Sequence, residues 1–66
     1  MRMIPVSSSA LSAIGYDPQT RRMKITFAQG HTYDFCRVPQ QVFDALMRAP
    51  SKGTYYNENI KGRYPC

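Results

Sequence analysis

The sequence has no tryptophan, one histidine and two cysteines, and it contains no long uninterrupted apolar run. A membrane-spanning helix needs roughly 20 apolar residues in succession, so we expect none, and the N-terminal stretch is unlike a signal peptide. His31, Cys36 and Cys66 are the only soft metal ligands, and they lack the close spacing that zinc sites use. We therefore expect neither a membrane protein nor a metal protein.

Acidic residues are also scarce, with four in the whole chain, and none forms an obvious acid–base pair. Asp17 is explained by a turn and Asp44 by the exposed face of a helix. His31 follows a glycine in a predicted turn, where histidines are usually solvated. Neither Gly53 nor Gly62 belongs to a glycine-rich phosphate loop. We expect no catalytic residue, no cofactor and no enzymatic activity.

Basic residues are abundant instead. Nine lysines and arginines against four acids give a net charge of +5 and an isoelectric point near 9.6. An isoelectric point above about 9 in a small domain is typical of nucleic-acid binding. The alternative is that the charge only keeps the domain soluble, since net charges of about 2 to 8 are ordinary. Composition leaves both interpretations open.

The two cysteines bear on the compartment. A disulfide needs Cα atoms within about 7 Å of each other, which a sequence does not show. Because a signal peptide is not recognisable, we expect the reducing cytoplasm and free thiols at Cys36 and Cys66.

The length of 66 residues allows one domain, which we place at 1–66 with residues 1–9 as an extended lead-in. A core of this size is marginal, so a homo-oligomer stays open. Residues 10–16 and 21–28 predict a hairpin around the DPQT turn, because apolar side chains alternate through RMKITFA. Residues 32–38 predict a third strand.

Two helices are predicted after the strands. Pro39 suits the start of the first helix, and apolar residues recur at three- and four-residue spacing up to Met47. Ser51 is a good N-cap for a second, shorter helix, with Gly62 at its C′ position. The predicted fold class is α+β: a three-stranded antiparallel meander followed by two helices packed on one face, in the order β-β-β-α-α.

Residues 7–65 resemble the KTSC domain. The resemblance rests on IGYD at 14–17, a Tyr-x-Tyr strand motif, Val-Pro before the first helix, and SKG…N…IKG at 51–62. Here the strand motif reads Tyr33-Asp34-Phe35, so the second hydroxyl is missing. The family occurs at the C-terminus of some lysyl-tRNA synthetases and in stand-alone bacterial and phage proteins. The resemblance implies RNA binding and no catalytic residues.

The candidate site residues are basic or aromatic. A helix N-terminus favours an anion, so Lys52 and Gly53 form the best phosphate site, which Lys61 and Arg63 extend. The alternative is a capped helix with ordinary surface lysines. The polar face of the sheet adds two further phosphate contacts, Arg22 and Lys24. Tyr55, and less so Tyr33, would stack on a base; Tyr33 and Phe35 are otherwise core residues.

The leading hypothesis is a small cytoplasmic domain that binds RNA or another polyanion without catalysis. The alternative is a phage accessory protein that binds a host protein, or a small phosphorylated molecule between the protomers of a homo-oligomer. An exposed apolar patch at Val42, Phe43 and Met47 would mark such a protein interface.

Overall fold

The computed structural model describes residues 1–66 as one antiparallel sheet followed by two helices. The α+β class is confirmed, but the predicted number of three strands is wrong, because the sheet has four in the order β1-β2-β3-β4. The elements are β1 (Met3–Pro5), β2 (Leu11–Asp17), β3 (Arg22–Phe27), β4 (Thr32–Phe35), α1 (Gln40–Arg48) and α2 (Lys52–Asn59).

The additional strand, β1, lies inside the predicted lead-in. It pairs antiparallel with β2, with Met3 opposite Gly15 and Pro5 opposite Ala13. A proline lacks the N–H that an inner strand needs, but an edge strand tolerates it because one side of its backbone has no partner. Three residues with one aliphatic side chain give no periodic signal, so the sequence did not reveal the strand.

The inner face of the sheet carries the core. Register places Ile14 beside Ile25 and Met23 beside Phe35, so alternate side chains of three strands point to the same side. Both helices cover this side. The core consists of Leu11, Ile14, Met23, Ile25, Phe35, Val38, Leu46 and Ile60, which are buried.

The two helices begin and end close to where the sequence predicted. Pro39 is the N-cap of α1, and Ser51 is the N-cap of α2. The Ser51 hydroxyl accepts a hydrogen bond from the Thr54 N–H at 3.4 Å. The turn of Gly62, at φ 76°, lies two residues past the C-cap Ile60, one residue later than predicted. Neither helix has the length and apolar composition needed to cross a membrane.

The C-terminal tail returns to the sheet and corrects the expectation of free thiols. The Cys36 N–H donates to the Tyr64 carbonyl oxygen at 3.0 Å, so the tail runs beside the end of β4. This brings the Cα atoms of Cys36 and Cys66 to 4.8 Å, and the two cysteines form a disulfide. The pairing could not be predicted, because it depends on a tail that has no regular secondary structure.

Candidate functional site

An aromatic cleft lies beside β4, between the edge of the sheet, the core-facing side of α2 and the C-terminal tail. Its volume is about 250 Å³. We call it the aromatic cleft and define it by its lining residues, Tyr33, Asp34, Phe35, Tyr56, Gly62, Tyr64 and Pro65.

Two aromatic residues lie on the same face of the edge strand β4 but differ in exposure, because the helices cover only part of that strand. Phe35 lies opposite Met23 and under the helices, and is 8% exposed. Tyr33 lies opposite Ile25 on the same face but at the uncovered part of the edge, and is 54% exposed. The sequence predicts the same role for both residues, either in the core or on a surface where bases stack. The structure divides them: Phe35 is core, and Tyr33 is a surface aromatic.

Edge-to-face contacts fix the aromatic side chains of the cleft. The ring of Phe27 lies 5.6 Å from the ring of Tyr33 and 5.0 Å from that of Tyr56. The rings of Phe35 and Tyr56 are 6.0 Å apart. Such contacts add roughly 0.5–1.5 kcal/mol each beyond burial. Tyr33 is thus held from one side by Phe27 while more than half of its surface stays open to a ligand.

The phenol of Tyr56 stays protonated in this environment. Burial raises the pKa of Tyr56 above its usual value of 10.0, and the neighbouring Tyr33 phenol raises it further. A neutral phenol both donates and accepts hydrogen bonds. The cleft therefore offers a flat aromatic surface and the uncharged hydroxyl group of Tyr56, which suit a planar polar ring.

Two unpaired cations are the chain neighbours of Gly62, which lines the cleft. Lys61 and Arg63 are both exposed, and neither forms an ion pair, because the one ion pair in the structure joins Lys24 and Asp34. That pair spans 3.9 Å between partners that are about half exposed, so it contributes about 0–1 kcal/mol. Lys61 and Arg63 thus do not line the cleft themselves, but each is next in the chain to a residue that does.

The predicted phosphate contacts do not form one site. Lys52 and Gly53 begin α2, whereas Lys61 and Arg63 follow its end. Eight helical residues separate these groups by about 12 Å. Arg22 and Lys24 point from β3 to the outer face of the sheet, opposite the helices. Lys61 and Arg63 adjoin Gly62 in the chain, and Lys24 is paired with Asp34, and both Gly62 and Asp34 line the aromatic cleft.

The start of α2 is largely occupied by contacts within the protein. A polar pocket of about 240 Å³ lies there, lined by Ser7, Ser8, Ser9, Pro50, Ser51, Lys52 and Gly53. The Lys52 amine donates to the Ala49 carbonyl oxygen at 3.3 Å. A Cβ on Gly53 would lie 2.9 Å from that of Ala10, so close packing alone accounts for this glycine. Tyr55, the other predicted stacking residue, is half-buried against the core and does not line the cleft.

Two exposed arginines that the sequence analysis did not select have unusual backbone geometry. Arg21 has φ 59° and Arg37 has φ 56°, a left-handed conformation that ordinary residues adopt infrequently. The Val38 N–H donates to the Arg21 carbonyl oxygen at 2.9 Å, so the two segments are adjacent. Arg21 follows the DPQT turn, so the sequence indicates a turn close to this residue but not its left-handed conformation. Nothing in the sequence around Arg37 indicates its conformation.

The apolar residues considered for a protein interface belong to the packed interior. Val42, Phe43 and Met47 are half-buried and pack against the core. Phe43 also stacks on Tyr16, with ring centroids 4.9 Å apart and planes inclined by 11°. These residues therefore do not form an exposed apolar patch.

Comparison with known proteins decides the family. The KTSC domain model matches residues 7–64. This chain belongs to the KTSC domain family. The fold agrees, because a crystal structure of a KTSC domain protein from Yersinia pestis superimposes with a TM-score of 0.94 at 40% identity. That match covers 98% of this chain and 92% of the Yersinia chain.

Relatives of this KTSC domain occur both alone and within longer proteins. A protein from Tsukamurella paurometabola is 44% identical over 62 residues, which cover 94% of this chain and 92% of the relative. A lysine–tRNA ligase from a Nostoc species is 34% identical over 62 residues, again 94% of this chain, but these make up only 11% of the ligase. The domain is therefore a small part of the ligase.

Proposed function

We propose that this KTSC domain binds single-stranded RNA at the aromatic cleft and catalyses no reaction. The observation that carries the proposal is Tyr33, an exposed tyrosine that lines the cleft and whose ring contacts Phe27 edge to face. Single-stranded RNA is recognised chiefly by stacking its unpaired bases on aromatic side chains.

Base stacking is the contribution assigned to Tyr33. Its ring is 54% exposed, and its edge-to-face contact with Phe27 leaves a broad surface free. The ring is already held in place, so binding a base costs little side-chain entropy. Stacking on an aromatic side chain contributes about 1–3 kcal/mol per base and tolerates any base. Specificity for one sequence is not expected from this contact.

Phosphate contacts are assigned first to Lys61 and Arg63, which adjoin the cleft. A base stacked on Tyr33 has its own phosphate within one nucleotide of the ring, so cations at the cleft border are suitably placed. Lys52, Arg22 and Lys24 lie on other surfaces and would add contacts only for a longer strand that continues around the domain. Binding should therefore strengthen with RNA length.

The relatives support the same ligand class. Lysine–tRNA ligases act on tRNA by name, and a segment of about the size of this chain occurs in them. A domain that accompanies a tRNA enzyme and carries a net charge of +5 is suited to contact RNA phosphates.

Binding of a labelled single-stranded RNA, measured by fluorescence anisotropy at about 50 and 200 mM salt, tests the proposal. We expect micromolar or tighter binding at the lower salt and a loss of at least about tenfold at the higher salt, as three or more phosphate contacts require. Absence of binding at the lower salt would refute the proposal.

A matched pair of variants tests the stacking contact. Tyr33→Phe keeps the ring, and Tyr33→Leu keeps the apolar bulk without it. We expect Tyr33→Phe to bind as the wild type does and Tyr33→Leu to lose about fivefold or more. Equal affinities for the two variants would show that RNA binds elsewhere. Circular dichroism of both variants controls for the fold.

A further inference from the structure

Three arginines lie on two adjacent backbone segments at the end of the sheet where β2 turns into β3 and β4 leads to α1. We call Arg21, Arg22 and Arg37 the arginine cluster. The Arg21 carbonyl oxygen accepts a hydrogen bond from the Val38 N–H at 2.9 Å, which places the backbone of residue 37 beside that of residues 21 and 22. All three side chains are exposed, and none has an ion-pair partner.

The acids nearby do not neutralise the cluster. Asp17 lies in register with Arg22, yet its carboxylate does not pair with that guanidinium. One of its oxygens instead accepts a hydrogen bond from the Gln19 N–H at 3.0 Å, within the turn. The protein therefore leaves three exposed guanidinium groups without an ion-pair partner on two adjacent backbone segments. Guanidinium groups bind phosphate oxygens through paired, directional hydrogen bonds.

The backbone at two of these positions favours glycine over arginine. Arg21 and Arg37 have positive φ values of 59° and 56°, where a Cβ is sterically disfavoured and glycine is not. Unfavourable backbone geometry of this kind is concentrated at functional sites. Since a glycine would fit both turns more easily, the fold does not account for arginine at either place.

We infer that the arginine cluster binds a phosphate group of the same RNA strand whose base stacks in the aromatic cleft. The inference rests on the proposed function, and it identifies phosphate contacts that include two residues outside those predicted from the sequence. The cleft and the cluster are connected along the C-terminal tail. Tyr64 lines the cleft, and its carbonyl oxygen accepts from the Cys36 N–H at 3.0 Å, one residue before Arg37.

Arg63 precedes Tyr64 in the same tail. We therefore expect a strand that places a base on Tyr33 to follow the tail past Arg63 to the cluster. The shortest RNA that contacts both sites is therefore an oligonucleotide and not a mononucleotide.

The test compares two double variants that each remove two positive charges. Arg21→Gly with Arg37→Gly removes two guanidinium groups of the cluster and puts glycine where φ is positive. Arg2→Ala with Arg48→Ala removes two exposed cations that belong to neither site, one before β1 and one at the end of α1. The probe is a fluorescein-labelled single-stranded oligouridylate of twelve nucleotides, titrated at several salt concentrations between about 50 and 200 mM.

We expect the glycine variant to bind more weakly and the slope of log K against log salt to become shallower by about 0.7, the contribution of one phosphate contact on a single strand. Its melting temperature should be no lower than that of the wild type, because glycine accepts the left-handed turns. The Arg2 and Arg48 variant should keep the wild-type slope. This combination would support a phosphate site at the cluster.

Three outcomes would overturn the inference. An unchanged slope in the glycine variant would show that the cluster does not contact the RNA, while leaving the proposed function intact if the wild type binds. Equal losses in both double variants would show that net charge alone governs binding. A wild type that does not bind the oligouridylate would refute the proposed function and this inference together.

Discussion

The phenolic oxygen of Tyr16 lies 2.6 Å from the carbonyl oxygen of Val38 and donates a hydrogen bond to it. This contact joins β2 to the segment that leads into α1, across 22 residues of sequence. The ring of Tyr16 also stacks on Phe43 of α1. One side chain thus connects the sheet to the first helix by both polar and aromatic contacts.

Replacing Tyr16 with phenylalanine should lower the free energy of unfolding by about 1 kcal/mol, because the ring stays and only the hydrogen bond is lost. The measurement is urea denaturation of both proteins at neutral pH. Tyr33→Phe is the control, since no hydrogen bond of its hydroxyl supports the fold, and it should leave the midpoint unchanged. A Tyr16→Phe variant as stable as the wild type would show that the Val38 carbonyl finds another donor.

Tyr16 also makes the stability of the fold decrease with rising pH in the alkaline range. Burial raises the pKa of Tyr16 above 10.0, so the folded protein holds this proton more tightly than the unfolded chain. The resulting stabilisation is complete below pH 10.0 and is lost as the pH rises through the raised pKa. Unfolding of the wild type above pH 10 should be steeper than that of Tyr16→Phe.

Breaking the disulfide should destabilise the domain strongly. Cys36 and Cys66 are 30 residues apart, and closing a loop of that length contributes about 3–4 kcal/mol by constraining the unfolded chain. A domain of this size has a total stability of only about 3–10 kcal/mol. Cys66→Ser should therefore lower the thermal midpoint markedly, as should addition of a reductant to the wild type.

Thiol labelling under denaturing conditions provides the control for that experiment. The oxidised wild type should show no reactive thiol, and the reduced protein should show both. If reductant does not shift the midpoint of a fully oxidised sample, the loop-closure argument is wrong. If two thiols react before reduction, the disulfide is absent from the purified protein.

Gly53 should be intolerant of a side chain for reasons of packing. A Cβ there would lie 2.9 Å from the Cβ of Ala10, and overpacking of this kind costs about 1–3 kcal/mol. We expect Gly53→Ala to be destabilised and Ala10→Gly to rescue it in the double variant, as measured by denaturant unfolding. A destabilised double variant would mean that the alanine is excluded for another reason. Asn57→Ala, at an exposed position of α2, is the matched control.

Asp17 should contribute to stability only above its folded pKa. The Gln19 N–H holds the pKa of Asp17 below its usual value of 3.8, and Thr20 acts in the same direction. Stabilisation is therefore present above about pH 4 and disappears as the pH falls through the lowered pKa. Asp17→Asn should remove this part of the acid dependence. If the free energies of unfolding of the wild type and of Asp17→Asn change with pH in the same way, Asp17 is not the source of this acid dependence.

The central part of the fold could be predicted because its side-chain pattern is regular. The alternation of Met23, Ile25 and Phe27 predicted a strand and its buried face. Ser51 predicted the start of α2. The first strand has one aliphatic residue, Ile4, and a proline, so its pairing depends on contacts with β2 that no local pattern encodes. Local periodicity thus predicted the middle of the sheet and missed one edge.

The candidate site was predicted less completely, since it depends on position across the sheet. Tyr33 and Phe35 have the same period and face, and only the coverage by the helices distinguishes the exposed ring from the buried one. Cys66 reaches Cys36 through a C-terminal tail that has no regular secondary structure. Arg37, next to Cys36, has a positive φ that its sequence neighbours do not indicate. Relations of this kind arise from tertiary packing and leave no trace in neighbouring residues.

The strand order also determines how the domain can be attached to another protein. The chain enters the sheet at β1, and the aromatic cleft lies at β4, on the opposite edge. Three strand spacings, or about 14 Å, separate the two edges. Polypeptide joined ahead of Met1 would therefore leave from the far side of the sheet. A domain with this layout can be appended to a larger protein while its cleft stays accessible at the opposite edge.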